Sequence, residues 1–311
     1  MEFPATDRRA HPQGAIFSSW AAPDGWPLRR FEWPAPEGEA PRGSLLFAGG
    51  RGDFIEKHLE PLGHWHALGW RTSSFDWRGQ GGSRGGIEHG HVDSFEPFVA
   101  DLACLVEDWR RTGPGPHVAV AHSMGAHLLL RLLASRDIRV DAAVLVSPMI
   151  EINSSPIPPP VARLLAGAMA RLGFERAPAW RQEGMPPYGS RRQRFLTACP
   201  DRYSDEQWWR EREPDFGLGA PTWGWLRAAY RSAAELTAGR LASIRTPLLF
   251  IGTETDRLVS ARAIRRAAAA VPGAGLLMFP RTGHEILREA DTVRIEALDR
   301  IDSFFDGKAP R

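Results

Sequence analysis

A serine that closes an apolar run and opens a run of small residues is the first place in this chain where chemistry can be sought. Ser123 lies in "HVAVAHSMGAH" (117–127), between Ala121 and Gly125. Ala121-His122-Ser123-Met124-Gly125 has the form G-x-S-x-G with alanine in the first glycine's place, the pattern of a nucleophile on a sharp strand-to-helix turn. Such a turn brings positions 121 and 125 close together, so both must be small. It also aims the Met124 N–H at the carbonyl oxygen of a substrate held at Ser123. A serine hydroxyl needs an adjacent base to become a nucleophile. An acid and then a histidine should follow in the chain. Asp256 in "GTETDRLVS" and His284 in "RTGHEILRE" meet that order, each just past a β-like run. Glu254 and Glu151, at run ends of their own, compete for the role of acid, and Asp256 has a competing role as the cap of a helix near 260.

The developing oxyanion needs donors as well. "FAGGRGDF" follows the third β-like run, and its glycines, Gly49, Gly50 and Gly52, let the backbone approach a substrate. The loop lacks the G-K-[ST] ending of a phosphate-binding turn, which argues against nucleotide. "HWH" (64–66) lies in a helical pattern, where positions i and i+2 do not face each other, and "HGH" (89–91) has too few neighbouring ligands for a metal site. The expected chemistry uses no cofactor and no metal.

The elements that must hold these residues alternate. β-like runs occur at 15–20, 28–33, 43–50, 71–77, 117–123, 142–149, 247–253 and 275–280. The first two carry charges and alternate, as in an antiparallel edge hairpin; the later ones are continuously apolar, as in parallel strands covered on both faces. Helical patterns separate the later runs. One contains Pro61, a candidate kink. Another contains Cys104, which reads as a buried small hydrophobe, and opens at Ser94, a candidate N-cap; the last opens at Asp291. This is an α/β protein with a mostly parallel central sheet flanked by helices. The alternation stops from about 151 to 241, where prolines, short helical pieces and Trp180, Trp208, Trp209, Trp223 and Trp225 indicate a helical insertion. The expected division is therefore a core of 1–150 and 242–311 with a cap of 151–241 over the carboxyl edge of the sheet, where open α/β sheets bind ligands.

Composition sets limits. The 311 residues are 43% hydrophobic and 24% charged, as in an ordinary globular protein, and the net charge is +2. Without a block of like charge the chain has no nucleic-acid signature, and "RGGIEHGH" and "GSRRQRF" read as solvated surface. Two cysteines make no disulfide framework. The N-terminal residues include no apolar h-region and no run reaches the length of a membrane span, so a soluble, cytoplasmic protein is expected.

With these residues in place, the chain resembles the α/β-hydrolases of the monoacylglycerol lipase and bacterial lysophospholipase group, the serine aminopeptidase S33 type. "AHSMGAH" is similar to that group's G-H-S-M-G-G, "GGRGDFIEKH" to its H-G-x-G-E loop, and "FDWRGQGGSRG" to its D-x-R-G-x-G-x-S. "GTETDRLV" and "GHEILRE" resemble its acid and histidine segments. The likeness runs through about 28–150 and 241–306. It implies an α/β-hydrolase fold with a helical cap, Ser123 as nucleophile, Asp256 as orienting acid, His284 as base, and the backbone N–H groups of Arg51 and Met124 as oxyanion hole. Gly49 stands where the group has a histidine, so Gly50 is an alternative donor. Asp76 is expected to organise its turn. Gly50, His122 and Trp223 are the expected substrate contacts.

The activity so implied is carboxylic-ester hydrolysis, with monoacyl lipids (monoacylglycerol or lysophospholipid) as substrates and a transient contact with a membrane surface. A short-chain esterase, an acyltransferase or a peptidase would use the same triad, and an inactive ligand binder of the same fold is the reading from another class. Dehalogenase and epoxide hydrolase chemistry would need a carboxylate at position 123.

Overall fold

Continuous apolar runs become parallel strands here because each strand is covered on both faces. The computed structural model describes residues 6–310 other than 39, 136–137, 182–185 and 187–188. Its eight strands are β1 (Ile16–Ala21), β2 (Pro27–Trp33), β3 (Gly43–Ala48), β4 (Trp70–Phe75), β5 (His117–His122), β6 (Ala142–Val146), β7 (Leu248–Thr253) and β8 (Gly275–Phe279). They form one sheet in the order β1-β2-β4-β3-β5-β6-β7-β8. The β1–β2 and β2–β4 pairs are antiparallel and every other pair is parallel.

Side chains alternate between two cores. Leu45, Phe47, Val118, Val120, Val144, Leu249 and Ile251 face one layer, while Leu46, Ala119, Ala121, Leu145 and Phe250 face the other. The first layer is closed by α1 (Leu59–Ala67) and α10 (Asp291–Lys308), through Leu62, Trp65, Leu298, Ile301 and Phe305. The second is closed by α2 (Glu96–Thr112), α3 (Ser123–Ser135) and α9 (Ala261–Ala270), through Leu102, Val106, Leu129, Leu132 and Ile264. Because β3, β5, β6 and β7 run parallel, their carboxyl ends lie along one edge of the sheet.

Between β6 and β7 the chain forms α4 (Pro159–Met169), a π-helical turn over Ala170–Phe174, α5 (Arg191–Leu196), α6 (Pro200–Arg212), α7 (Trp223–Ala234) and α8 (Ala238–Ala242). Trp225, Ala228 and Ala229 of α7 and Leu241 of α8 belong to the same buried cluster as α2 and α3. No helix among the described residues is long and apolar enough to cross a membrane.

Local expectations are corrected in four places. Pro61 does not break its helix, because it is the third residue of α1, where the backbone N–H has no intrahelical acceptor to lose. Ser94 lies one residue outside the cap of α2 and takes the Glu96 N–H at 3.2 Å; Phe95 holds the cap position. Asp291 is the first residue of α10, with Ala290 as cap, and its carboxylate is turned to Arg202 and Arg294. Cys104 is half-buried rather than buried; Cys199 is the buried one.

Candidate active site

The turn between β5 and α3 has the geometry that the sequence requires of it. Ser123 has φ +52°, in the left-handed region that a residue with a side chain adopts at a cost. Gly125 faces the backbone of the β3 loop: a Cβ there would lie 2.3 Å from the Gly49 oxygen and 2.5 Å from that of Ala48. No rearrangement of a side chain relieves such a contact, so position 125 demands glycine. Ala121 is fully buried in β5.

Three side chains from separate strand ends meet at this turn. The Ser123 Oγ lies 2.9 Å from His284 Nε2, and His284 Nδ1 lies 2.8 Å from Asp256 Oδ2. The second oxygen of Asp256 accepts the N–H groups of Leu258 at 2.8 Å and Val259 at 3.0 Å, which fixes its carboxylate plane. The helix near 260 is capped by Ser260 instead. Burial opposes the Asp256 charge, but His284 and the two amides outweigh it and its pKa is lowered. Burial likewise opposes a charged His284, and Asp256 outweighs it, so the imidazole pKa is raised. Glu254 pairs with Arg265 and Glu151 lies 3.6 Å from Arg266, both at the surface.

Ser147, unmarked in the sequence reading, supports this set from behind. It also has a positive φ (+46°), at the end of β6, and its hydroxyl donates to the His284 carbonyl at 2.8 Å. The histidine loop is held by the end of α5 too. The His284 N–H donates to the Phe195 oxygen at 2.9 Å and that of Glu285 to the Leu196 oxygen at 2.8 Å. Gly283 makes this approach possible, since a Cβ would meet the Leu196 oxygen at 2.3 Å.

Two amides of the β3 loop are already engaged. The Gly50 N–H is already committed to Asp53 Oδ2 at 2.6 Å and that of Gly52 to Gln80 Oε1 at 2.7 Å, while Trp77 Nε1 holds the Gly49 oxygen at 2.8 Å. The Arg51 N–H is left uncommitted among the described residues. The Met124 N–H lies in the first turn of α3, where helix amides have no internal acceptor. Asp76 ties the next turn together, accepting from the N–H groups of Ile55 and Gly82.

A cavity of roughly 170 Å³ opens over Ser123, lined by Gly50, Arg51, Met149, Trp180, Leu226 and Leu258 among others. The expected contacts Gly50 and His122 border it. His122, however, is committed through Nδ1 to Asp53 Oδ2 at 2.9 Å. Trp223 does not border the cavity; it is the first residue of α7 and packs partly buried against the core. Trp225 borders the cavity in its place, because residues two apart on a helix point some 200° apart. Arg192, in a stretch expected to be solvated surface, also lines the cavity, while Arg191 and Arg194 beside it are exposed.

Under the loop lies a buried ionic cluster. Lys57 Nζ is 2.8 Å from Asp53, 2.6 Å from Glu285 and 3.2 Å from Glu206; Arg288 pairs with Glu206 at 3.1 Å and with Glu285. Burial disfavours the Lys57 ammonium, but the three carboxylates outweigh it and its pKa is raised. Asp53, His58 and His122 bring ligand atoms within 4.8 Å of one another, the one such group among the described residues. The Lys57 ammonium already neutralises Asp53 there, and Asp53 supports the loop through its bonds to the Gly50 N–H and to His122. Elsewhere, His64 lies 2.7 Å from Asp302, His66 stacks on Trp33, and His91 lies 2.9 Å from the Thr222 hydroxyl.

The profile of the serine aminopeptidase S33 family matches residues 39–291. The lysophospholipase L2 of Escherichia coli (strain K12) is 30% identical over 282 residues, covering 84% of this chain and 80% of the relative. The probable lysophospholipase L2 of Haemophilus influenzae is 27% identical over 273 residues, covering 86% of this chain and 85% of the relative. Among solved structures, a soluble variant of monoglyceride lipase from Saccharomyces cerevisiae superposes with a TM-score of 0.75 at 16% identity, covering 99% of this chain and 100% of that one. The Paleococcus ferrophilus monoacylglycerol lipase gives 0.67 at 19% identity, over 89% of this chain and 99% of that one. Both structural likenesses bear on the fold. The chain belongs to the serine aminopeptidase S33 family of α/β-hydrolases, as a hydrolase of the carboxylic-ester class.

Proposed function

We propose that the protein hydrolyses monoacyl lipids, monoacylglycerol or lysophospholipid, through an acyl-enzyme on Ser123. The observation that carries this reading is the unbroken chain of hydrogen bonds from Ser123 Oγ through His284 to Asp256, opening into a cavity lined mainly by apolar groups.

In the first half-reaction His284 Nε2 takes the hydroxyl proton as Ser123 Oγ attacks the ester carbonyl. Asp256 keeps the proton on Nδ1 and stabilises the imidazolium that forms. The oxyanion rests on the N–H groups of Arg51 and Met124. His284 then gives its proton to the departing alcohol. In the second half-reaction water loses a proton to His284, attacks the acyl carbonyl, and releases the fatty acid as Ser123 regains its hydrogen.

The apolar surface of the cap supports a lipid substrate. Leu164 and Leu172 are 72% and 70% exposed, with Val161 and Phe174 beside them, and Arg163 and Arg171 lie on the same segment. An apolar strip with flanking cations suits a transient contact with a membrane surface, where monoacyl lipids reside. The test is hydrolysis of p-nitrophenyl esters from acetate to palmitate, with monoacylglycerol and lysophosphatidylcholine, by the wild type and Ser123→Ala. Activity that rises with chain length and vanishes with the serine is expected. A wild type inert to every ester, or an unimpaired Ser123→Ala, would overturn the reading.

A further inference from the structure

The cavity over Ser123 carries more positive charge than its surroundings neutralise. Arg51, Arg192 and Arg210 all line it, and the Nε of each is buried without a hydrogen-bond partner. The Lys57 cluster beneath accounts for only one of them. There the three carboxylates of Asp53, Glu206 and Glu285 face three cations, Lys57, Arg288 and Arg210, the last 2.7 Å from Glu206. Neither Arg51 nor Arg192 makes an ion pair with a carboxylate among the described residues, although Arg192 lies near enough to Glu206 to help lower its pKa. Arg51 is held by neutral groups, donating to the oxygens of Gly219 at 3.0 Å and His89 at 2.8 Å, with its guanidinium 5.1 Å from the Trp225 ring centre. Burial, and then the like charges of Arg192 and Arg210, lower its pKa to about 9. Charges that repel one another inside a cavity are held in readiness for an anion.

We propose that Arg51, Arg192 and Arg210 form an anion subsite within the serine's cavity, and that it takes the phosphate of a monoacyl phospholipid. This rests on Ser123 being the esterolytic nucleophile. Arg51 belongs to the loop whose backbone faces that serine, so the subsite and the scissile carbonyl lie on opposite sides of one residue. A lysophospholipid has the matching layout, with the phosphate on the same glycerol as the ester. Guanidinium groups suit a phosphate because each offers several N–H donors in a plane to its oxygens. A monoacylglycerol brings no charge to this place and leaves the arginines to repel one another.

The experiment compares kcat/KM for palmitoyl lysophosphatidylglycerol and monopalmitoylglycerol, in the same detergent, for the wild type, Arg192→Gln and Arg192→Lys. Arg192 is the residue to change because it is partly exposed on α5 and makes no hydrogen bond or ion pair with another described residue, so the fold does not depend on it. The wild type is expected to favour the phospholipid. In Arg192→Gln the ratio of phospholipid to neutral ester should fall at least tenfold, mainly through KM, and Arg192→Lys should restore part of it. An unchanged ratio in Arg192→Gln overturns the subsite. Inhibition by inorganic phosphate without preference for the phospholipid overturns the substrate assignment and makes a free anion the occupant. Hydrolysis of p-nitrophenyl palmitate separates the two readings: if it proceeds while the ratio stays flat, the subsite alone is wrong, and if no ester is cleaved, the esterase reading fails as well.

Discussion

Two parts of the helical segment between β6 and β7 are built on opposite principles. α5 and α6 are stitched to the core by specific polar contacts. Arg202 makes two bonds to Glu60, at 2.5 and 2.7 Å, and a third to the Glu289 oxygen at 2.8 Å. The Thr197 hydroxyl donates to the Arg288 oxygen at 2.8 Å, and Glu206 enters the buried Lys57 cluster. α4 and the turn after it instead turn leucine and phenylalanine side chains outward. The difference separates precision from partition. The region that positions His284 is held by directional bonds, whereas α4 offers apolar area alone. Lifting α5 would break the backbone bonds to His284 and Glu285.

The largest expected effect tests the anchored side. Ser123→Ala should lower kcat by roughly 10⁶ on every chain length, measured with p-nitrophenyl esters; a loss of only tenfold would move the nucleophile elsewhere. Asp256→Asn should cost about 10⁴ by analogy with other triads. The pH profile sharpens this. His284 must be neutral to accept the serine proton, and its raised pKa means that kcat/KM should fall with acid from above the ordinary histidine value of about 6.5. Removing the Asp256 charge should move that limb toward lower pH, and an unmoved limb would detach Asp256 from the base.

Stability separates the two parts next. Lys57→Met leaves three buried carboxylates around an uncharged group and should destabilise the fold by about 3–5 kcal/mol in denaturant titrations. Loss of less than 1 kcal/mol would show that the cluster does not fasten α6 to the core. The smallest effect belongs to α4. Leu164→Asp with Leu172→Asp should leave melting within about 0.5 kcal/mol of the wild type, as for surface substitutions generally, yet weaken sedimentation with lipid vesicles several-fold. Equal vesicle binding would leave the exposed strip without its proposed purpose.

Long-range order was legible in the sequence where pattern and chemistry agreed. Parallel strands such as "HVAVAH" and "PLLFIG" declare themselves because burial on both faces removes polar residues. The positions of Asp256 and His284 follow from strand ends. What stayed hidden depends on local phase. Trp223 and Trp225 differ only in which side of α7 they occupy, and periodicity in a short helix does not fix its rotation. Arg192 sits between two exposed arginines in a six-residue helix, too short to show a buried face. Asp53 carries no mark in the sequence, yet Lys57, His122 and the Gly50 N–H converge on it. Ser147 acts through a hydroxyl-to-carbonyl bond that no spacing announces.

Gly283 has a consequence for how such proteins can be recombined. Because the histidine loop and the end of α5 touch backbone to backbone, with no room for even a methyl group, these two segments must change together. A cap exchanged at the outer limits of the insertion would carry a foreign α5 onto a loop shaped for Leu196. The interchangeable module is smaller: α4 and the turn that follows it. The seam therefore runs within the segment between β6 and β7, with the proposed lipid-facing strip on one side and α5, α6 and the His284 loop joined as one unit on the other.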